Sequence, residues 1–230
     1  GRRSLKAKIL VRFQVRQQRY LQEFTYSTRL NTKIKTIIFD CFGVILDPVL
    51  GGWYRDNMTK KGRADNNLPN LFRQLDKGML NEEDVINYFQ KYEGVTSNPE
   101  ELRKEVDAYL KIDYIMVDVI KKLRQKGFKI ALLSNANNSF FERKVYPTYP
   151  EFKNLFDEIV ISSVIQMVKP DPDIYLHTLE KVVSRPEETL FIDDSKANVD
   201  TALQLGMHGF VYTESTAFVK YLESLGIDLD

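Results

Sequence analysis

The chain has 230 residues, is 43% hydrophobic and 28% charged, and carries a net charge of +1. This is the composition of a globular protein with a sizeable core, and it excludes collagen, coiled coils and wholesale disorder. A single cysteine, Cys41, excludes an intramolecular disulfide framework and a cysteine-built zinc site, and two histidines are too few for a histidine-rich metal centre.

The first 33 residues differ in charge from the rest of the chain. They contain nine basic residues and one acidic residue, whereas residues 34–230 contain 24 basic and 31 acidic residues. This split predicts a separate basic extension at 1–33 ahead of a mildly acidic body. A solvated, non-catalytic tail is the first expectation. The alternatives are an organelle presequence, which the extension resembles in being rich in Arg, Gln, Ser and Thr, an upstream translated stretch and a nucleic-acid arm.

Five apolar runs bounded by turn residues predict buried strands at 35–39, 128–133, 158–161, 189–192 and 209–212. Helical patterns lie between the later runs, at 115–125, 174–183 and 197–205. Strands that alternate with helices favour βαβ units. We therefore predict an α/β fold, with a Rossmann-like parallel five-stranded sheet covered by helices on both faces.

One long stretch interrupts the alternation just after the first strand. It contains no clear strand, and residues 68–75, 81–92 and 100–110 follow helical patterns. Asn81 with Asp84 three residues later is typical of a helix N-terminus. We predict a helical cap at 49–112 and a catalytic core formed by 34–48 and 113–230.

Polar residues follow the predicted strands, where ligands of open α/β sheets bind. Asp40, Ser134 with Asn135, and Asp193 with Asp194 each follow a strand, and Lys169 lies in a loop before a helix. Clustered carboxylates need a cation to offset their repulsion, and their oxygens suit Mg²⁺. The lysine and the hydroxyl suit phosphate oxygens, and an aspartate can attack phosphorus. The set predicts phosphoryl-transfer chemistry.

Four segments in order carry a family resemblance: Phe39-Asp40-Cys41-Phe42-Gly43-Val44, Leu133-Ser134-Asn135, Lys169-Pro170-Asp171-Pro172 and Phe191-Ile192-Asp193-Asp194. Together they resemble the motifs of the haloacid dehalogenase-like hydrolase superfamily, over roughly residues 34–213. Two further details resemble the branch that contains glucose-1-phosphate phosphatases and the phosphatase domain of epoxide hydrolases: Tyr146-Pro147 to Phe156, and Asn198 with Gly206.

The resemblance implies a role for each matching position. Asp40 would be the nucleophile and a Mg²⁺ ligand, and the backbone carbonyl of Phe42 and the pair Asp193-Asp194 would complete the metal site. The transferring phosphoryl group would be bound by Ser134, Asn135 and Lys169, together with positions Cys41 and Phe42. The cap would select the substrate, for which a phosphosugar is the expectation.

Phe42 departs from the family pattern. Most phosphatases of this family have a second aspartate at this position, which protonates the leaving group and activates water, and a phenylalanine cannot transfer protons. General acid–base help is typically worth ~10²–10⁴-fold in rate, so a slow phosphatase is the first expectation. A non-catalytic relative that binds a ligand or partner is the second. A metal-independent 2-haloacid dehalogenase, which carries an aromatic residue here, is the third, and the pair Asp193-Asp194 argues against it.

The partners follow from the same reasoning. We expect a small phosphorylated substrate, no nucleic-acid or membrane partner, and a monomer or homodimer. No apolar run of the sequence approaches the length of a membrane span. The expected compartment is cytoplasmic, with organelle targeting by the basic extension as the alternative.

We predict that deletion of residues 1–33 leaves the implied activity unchanged, because every motif lies after residue 33. The turnover rate and the melting temperature of the full and shortened chains would be compared. A collapse of stability in the shortened chain would show instead that the extension packs on the body.

Overall fold

The computed structural model describes residues 34–59, 62, 65–92 and 94–229, so the predicted basic extension lies outside the described residues. The strands are β1 (Thr36–Phe39), β2 (Lys129–Ser134), β3 (Glu158–Ile161), β4 (Thr189–Asp193) and β5 (His208–Val211). The helices are α1 (Val49–Asn57), α2 (Leu68–Asp76), α3 (Glu82–Phe89), α4 (Pro99–Asp107), α5 (Tyr114–Gln125), α6 (Asn138–Phe140), α7 (Tyr146–Thr148), α8 (Ser162–Ile165), α9 (Pro172–Val182), α10 (Lys196–Gln204) and α11 (Ser215–Ser224). A π-helical turn (Phe141–Val145) joins α6 to α7, and 3₁₀ turns lie at Phe152–Leu155 and Pro186–Glu188.

The five strands form one parallel sheet in the order β3-β2-β1-β4-β5. This confirms the predicted fold class. Strand β1 is central and completely buried, as expected for an apolar run covered on both faces. Its last residue, Phe39, pairs with Leu132 of β2 and Ile192 of β4. The carboxyl ends of β1, β2 and β4 therefore meet at one edge of the sheet.

Helices cover both faces of the sheet. On one face Phe39 meets Phe218 of α11 edge to face, with 5.8 Å between ring centroids. On the other face Phe191 of β4 meets Tyr175 of α9 at 5.3 Å. Alternate residues of a strand point to opposite faces, so an aromatic contact lies on each face of the sheet. These two contacts hold the carboxyl edge of the sheet in position.

Helices α1–α4 form a cap between β1 and β2, and they pack around Phe89. The rings of Trp53, Tyr54 and Phe72 lie 5.2, 5.7 and 6.5 Å from the Phe89 ring. The capping box predicted at the start of α3 is present: Asp84 N donates to Asn81 Oδ1 at 3.0 Å and Asn81 N donates to the Asp84 carboxylate at 2.8 Å.

Helix α1 was absent from the sequence prediction because it contains Gly51-Gly52, and glycine is a weak helix former. Tertiary contact explains Gly52, since a Cβ there would lie 2.9 Å from Cδ1 of Tyr109. Helix α11 and the helical stretch α6–α7 were also not predicted. The predicted elements that exist begin or end up to three residues from their observed bounds, as is usual at fraying ends. Among the described helices, none has the length and apolarity needed to cross a membrane.

We predict that Phe218→Ala lowers the free energy of unfolding by roughly 3–5 kcal/mol, because it empties the contact that seats α11 on β1. Urea denaturation would measure the change. The matched control is Val164→Ala, whose side chain is 63% exposed and whose loss should cost within about 0.5 kcal/mol. Equal losses in the two variants would contradict this account of the core.

Candidate active site

The turn after β1 presents Asp40 at the carboxyl edge of the sheet. Its backbone N–H donates to the Ile192 carbonyl at 2.8 Å, and its Oδ1 accepts from Cys41 N at 2.7 Å. Gly43 has a φ of +90°, which favours glycine. A Cβ there would also collide with the Asp194 carboxylate. The turn can therefore press against Asp194 only with glycine at this position.

The acidic pair ends β4 and completes a carboxylate cluster. Asp193 is fully buried and accepts hydrogen bonds from Ser195 N at 2.8 Å and from Asn198 Nδ2 at 3.0 Å. Asp194 follows it and is more exposed. Carboxylate oxygens of Asp40, Asp193 and Asp194 all lie within 4.8 Å of one another. The side chain of Asn198 therefore holds Asp193.

Lys169 lies between the two buried carboxylates. Its Nζ is 2.7 Å from Asp40 Oδ1 and 2.6 Å from Asp193 Oδ2, and the residue is only 3% exposed. Asn135 fixes the backbone of this lysine: its Nδ2 donates to the Lys169 carbonyl at 2.9 Å and its Oδ1 accepts from Lys169 N at 2.8 Å. The side chain of Asn135 thus positions Lys169.

The electrostatics of the cluster leave an excess of negative charge. Burial raises the pKa of Asp40 to about 7, a rise that Lys169 opposes and Asp193 reinforces. Burial also raises the pKa of Asp194, with Asp193 adding to the rise. Burial works against the charge of Lys169, but Asp40 and Asp193 outweigh it, so the lysine pKa also rises.

The donor set fits a hard divalent cation. Three carboxylates share one ammonium, and oxygen ligands in such a cluster suit Mg²⁺. A cation there would offset the burial of these charges and the repulsion from Asp193, which together raise the pKa values of Asp40 and Asp194. Asp40, Asp193 and Asp194 are the side chains that would hold it.

Ser134, the last residue of β2, carries an orphaned donor. The residue is fully buried, and its Oγ has no hydrogen-bond partner in the part of the chain that the structure describes. A buried hydroxyl left in this state costs about 1–3 kcal/mol. An anionic ligand oxygen would supply the missing acceptor, which fits the predicted phosphate-binding role of Ser134.

The side chains of Cys41 and Phe42 pack against apolar neighbours and take no part in proton transfer. The Cys41 thiol belongs to the hydrophobic core, and burial raises its pKa. The Phe42 ring packs at 6.1 Å from the Phe140 ring and 5.9 Å from the Phe141 ring. Any phosphate or metal contact at these two positions would therefore be made by the backbone.

A cavity of about 220 Å³ separates the cap from the carboxyl edge of the sheet. Its walls are mostly apolar, with contributions from Phe42, Leu50, Phe72, Leu75, Ile86 and Phe140. Mostly apolar walls with a few polar groups are typical of small-molecule sites. Phe42 and Asn135, which lie close in sequence to Asp40 and Ser134, form part of its wall on the side of the core.

Arg143 joins the cap to the core, and no sequence pattern pointed to it. Its Nη1 and Nη2 lie 2.6 and 2.9 Å from the Asp107 carboxylate, and its Nη2 lies 2.6 Å from Glu82 Oε2. Such bidentate pairs are geometrically specific. Only the tertiary structure shows that two cap helices bring acids to this arginine.

The family model of the haloacid dehalogenase-like hydrolases matches residues 34–206. The sesquiterpene phosphatase astK of Aspergillus oryzae is 26% identical over 84% of this chain and 97% of its own length. Acyl-CoA dehydrogenase family member 10 of Mus musculus is 32% identical over 48% of this chain, and the match covers 10% of that protein. Bifunctional epoxide hydrolase 2 of Sus scrofa is 29% identical over 52% of this chain, which spans 22% of that protein.

A solved structure extends the comparison to the fold. A HAD family enzyme of Bacteroides thetaiotaomicron, in complex with magnesium and inorganic phosphate, superposes with a TM-score of 0.61 at 25% identity. The match covers 78% of this chain and 94% of that one.

We predict that Lys169→Met lowers the free energy of unfolding by roughly 3–5 kcal/mol, because it leaves two buried carboxylates without their cation. Denaturant titrations in EDTA would measure it. The control is Lys196→Met, which removes an ion pair whose lysine side chain is 75% exposed and should cost less than about 1 kcal/mol. Similar losses in both variants would show that Lys169 is not the group that holds the cluster.

Proposed function

Because the chain belongs to the haloacid dehalogenase-like hydrolases, we propose that it is a Mg²⁺-dependent phosphatase that acts on a small phosphate monoester. The observation that carries this proposal is the cluster of Asp40, Asp193 and Asp194 within 4.8 Å beside a buried Lys169. The phosphatase name of the Aspergillus oryzae relative and the magnesium and phosphate bound to the Bacteroides thetaiotaomicron enzyme support it.

In this proposal Asp40 is the nucleophile. One of its carboxylate oxygens forms a bond to phosphorus while the bond from phosphorus to the alcohol oxygen breaks, giving an aspartyl-phosphate. Lys169 favours the charged form of the nucleophile against the effect of burial, and binds the phosphoryl oxygens together with Ser134. A water then attacks phosphorus and releases phosphate, which restores the Asp40 carboxylate.

A bound Mg²⁺ would neutralise the excess carboxylate charge and stabilise the charge on the transferring phosphoryl group. Asp40, Asp193 and Asp194 would hold it, and the resemblance adds the backbone carbonyl of Phe42. Asn198 and Ser195 orient Asp193 through the two bonds that they donate to its carboxylate.

The cavity bears on the substrate. Its apolar lining favours an ester whose alcohol is apolar over the phosphosugar that the branch resemblance implied. The similarity to a sesquiterpene phosphatase supports the same class. We therefore place the alcohol of the substrate in the cavity and its phosphate at the carboxyl edge of the sheet.

The two alternatives make different demands on the site. A metal-independent 2-haloacid dehalogenase has no use for the pair Asp193-Asp194, and its activity would not respond to EDTA. A non-catalytic relative would bind phosphate esters without turning them over. The position of Asp40 within hydrogen-bond distance of a buried lysine favours turnover.

We predict that Asp40→Asn abolishes phosphate release while the variant stays folded, because an amide cannot attack phosphorus. The assay is phosphate release from phosphate esters of apolar alcohols and from anomeric phosphosugars, with Mg²⁺ and with EDTA. The control is Asp118→Asn, whose carboxylate is 63% exposed on α5.

Release that needs both Mg²⁺ and Asp40 is the expected result. Wild-type rates in a folded Asp40→Asn variant would refute the nucleophile, and rates that are unchanged in EDTA would refute the metal. Preference for phosphosugars over apolar esters would refute the substrate class only.

A further inference from the structure

The proposed reaction needs a proton for the leaving oxygen, and the residue at the usual position does not supply one. Phe42 fills that position with a ring that packs on Phe140 and Phe141. An alkoxide is a poor leaving group, so an acid elsewhere in the cavity is required for esters of ordinary alcohols.

The charged side chains that line the cavity, among the described residues, are Asp76, Glu82, Arg103, Asp107 and Arg143. Arginines do not lose their protons in proteins. Glu82 and Asp107 are both bound by Arg143, at 2.6 Å in each case, which holds them as carboxylates. Asp76 takes no part in these ion pairs.

We propose that Asp76 is the general acid of this site, supplied by the cap in place of the family's core aspartate. The proposal rests on the phosphatase function proposed above. When Asp40 attacks phosphorus, the proton of the Asp76 carboxyl moves to the alcohol oxygen as its bond to phosphorus breaks. The Asp76 carboxylate then accepts a proton from the water that attacks the aspartyl-phosphate, so the acid is restored in each cycle.

The core holds the end of α2 in place. Asp76 is the last residue of that helix, and its carbonyl accepts from Ser162 Oγ at 2.6 Å. On one side, Arg73 Nη2 lies 2.8 and 3.0 Å from the two carboxylate oxygens of Asp171. On the other side, Asn137 Nδ2 donates to the Leu80 carbonyl at 3.1 Å. A cap residue fixed from both sides can meet the precision that proton transfer demands.

The close approach of this segment to the core appears again at Gly78. Its φ is +68°, and a Cβ there would lie 2.8 Å from the Ser163 carbonyl oxygen. The backbone just after Asp76 therefore lies directly on α8, the short helix that follows β3. The cap therefore cannot move Asp76 away from the core without breaking these contacts.

The wall of the cavity brings Asp76 together with residues from the carboxyl edge of the sheet. Phe42 and Asn135, which lie close in sequence to Asp40 and Ser134, line the same cavity as Asp76. Burial raises the pKa of Asp76 to about 6, while Lys169 and Arg73 act in the opposite direction. The proposal places the alcohol oxygen of the substrate in this cavity, within reach of the Asp76 carboxyl.

The decisive experiment compares two leaving groups in single turnovers with enzyme in excess and Mg²⁺ present. One substrate is p-nitrophenyl phosphate, whose leaving group needs little protonation, and the other is 2-phenylethyl phosphate, whose alcohol needs a proton. We expect Asp76→Asn to slow release of the phenylethyl alcohol by about 10²–10⁴-fold. Release of p-nitrophenol should change less than about tenfold, because that step depends little on a general acid.

The matched control is Glu83→Gln, which neutralises an exposed cap carboxylate on α3 and should leave both rates unchanged. Circular dichroism and thermal melts would show that each variant is folded. Equal losses on the two esters in a folded Asp76→Asn variant would overturn the acid role, as would no loss on either. Absence of release from both esters by the wild-type protein would instead overturn the phosphatase function on which the proposal rests.

Discussion

Lys169 is almost completely buried, with its ammonium 2.7 Å from Asp40 and 2.6 Å from Asp193. Taking these charges out of water is costly, and only their close pairing offsets that cost. The pairing requires the carboxyl ends of β1 and β4 and the loop before α9 to lie next to one another. The packing of the sheet between Phe218 and Tyr175 holds them there. The fold therefore has to be formed before the cluster can exist.

The cap depends on the same edge of the sheet. Arg143 ties it to the core through Asp107 and Glu82, and Ser162 and Asn137 hold the end of α2. A mostly apolar cavity lies between the cap and the segments that follow β1 and β2, and Asp40, Asp193 and Lys169 are themselves buried. A site that is shielded from water in this way strengthens every charge interaction within it, which suits chemistry that works by positioning and electrostatic stabilisation.

Most residues of the candidate active site could be predicted from the sequence, because they lie at the ends of predicted strands. Asp40, Ser134 and the pair Asp193-Asp194 were placed at strand ends from short apolar runs, and the parallel sheet brings those ends together. Contacts between distant segments were not predictable. The side chain of Asn135 holds the backbone of Lys169, a bond between residues that lie 34 positions apart.

The sequence by itself determined the fold class, the family and the carboxylates that meet at the edge of the sheet. Apolar runs, helical patterns and the order of the motifs can all be read along the chain without knowledge of tertiary contacts. The tertiary structure decided which groups share the cavity. Phe42 could be recognised as unable to transfer a proton, but nothing near it in sequence indicates Asp76. That carboxyl reaches the cavity only because the end of α2 packs on α8, the helix that follows β3, and such packing is set by side chains far apart along the chain.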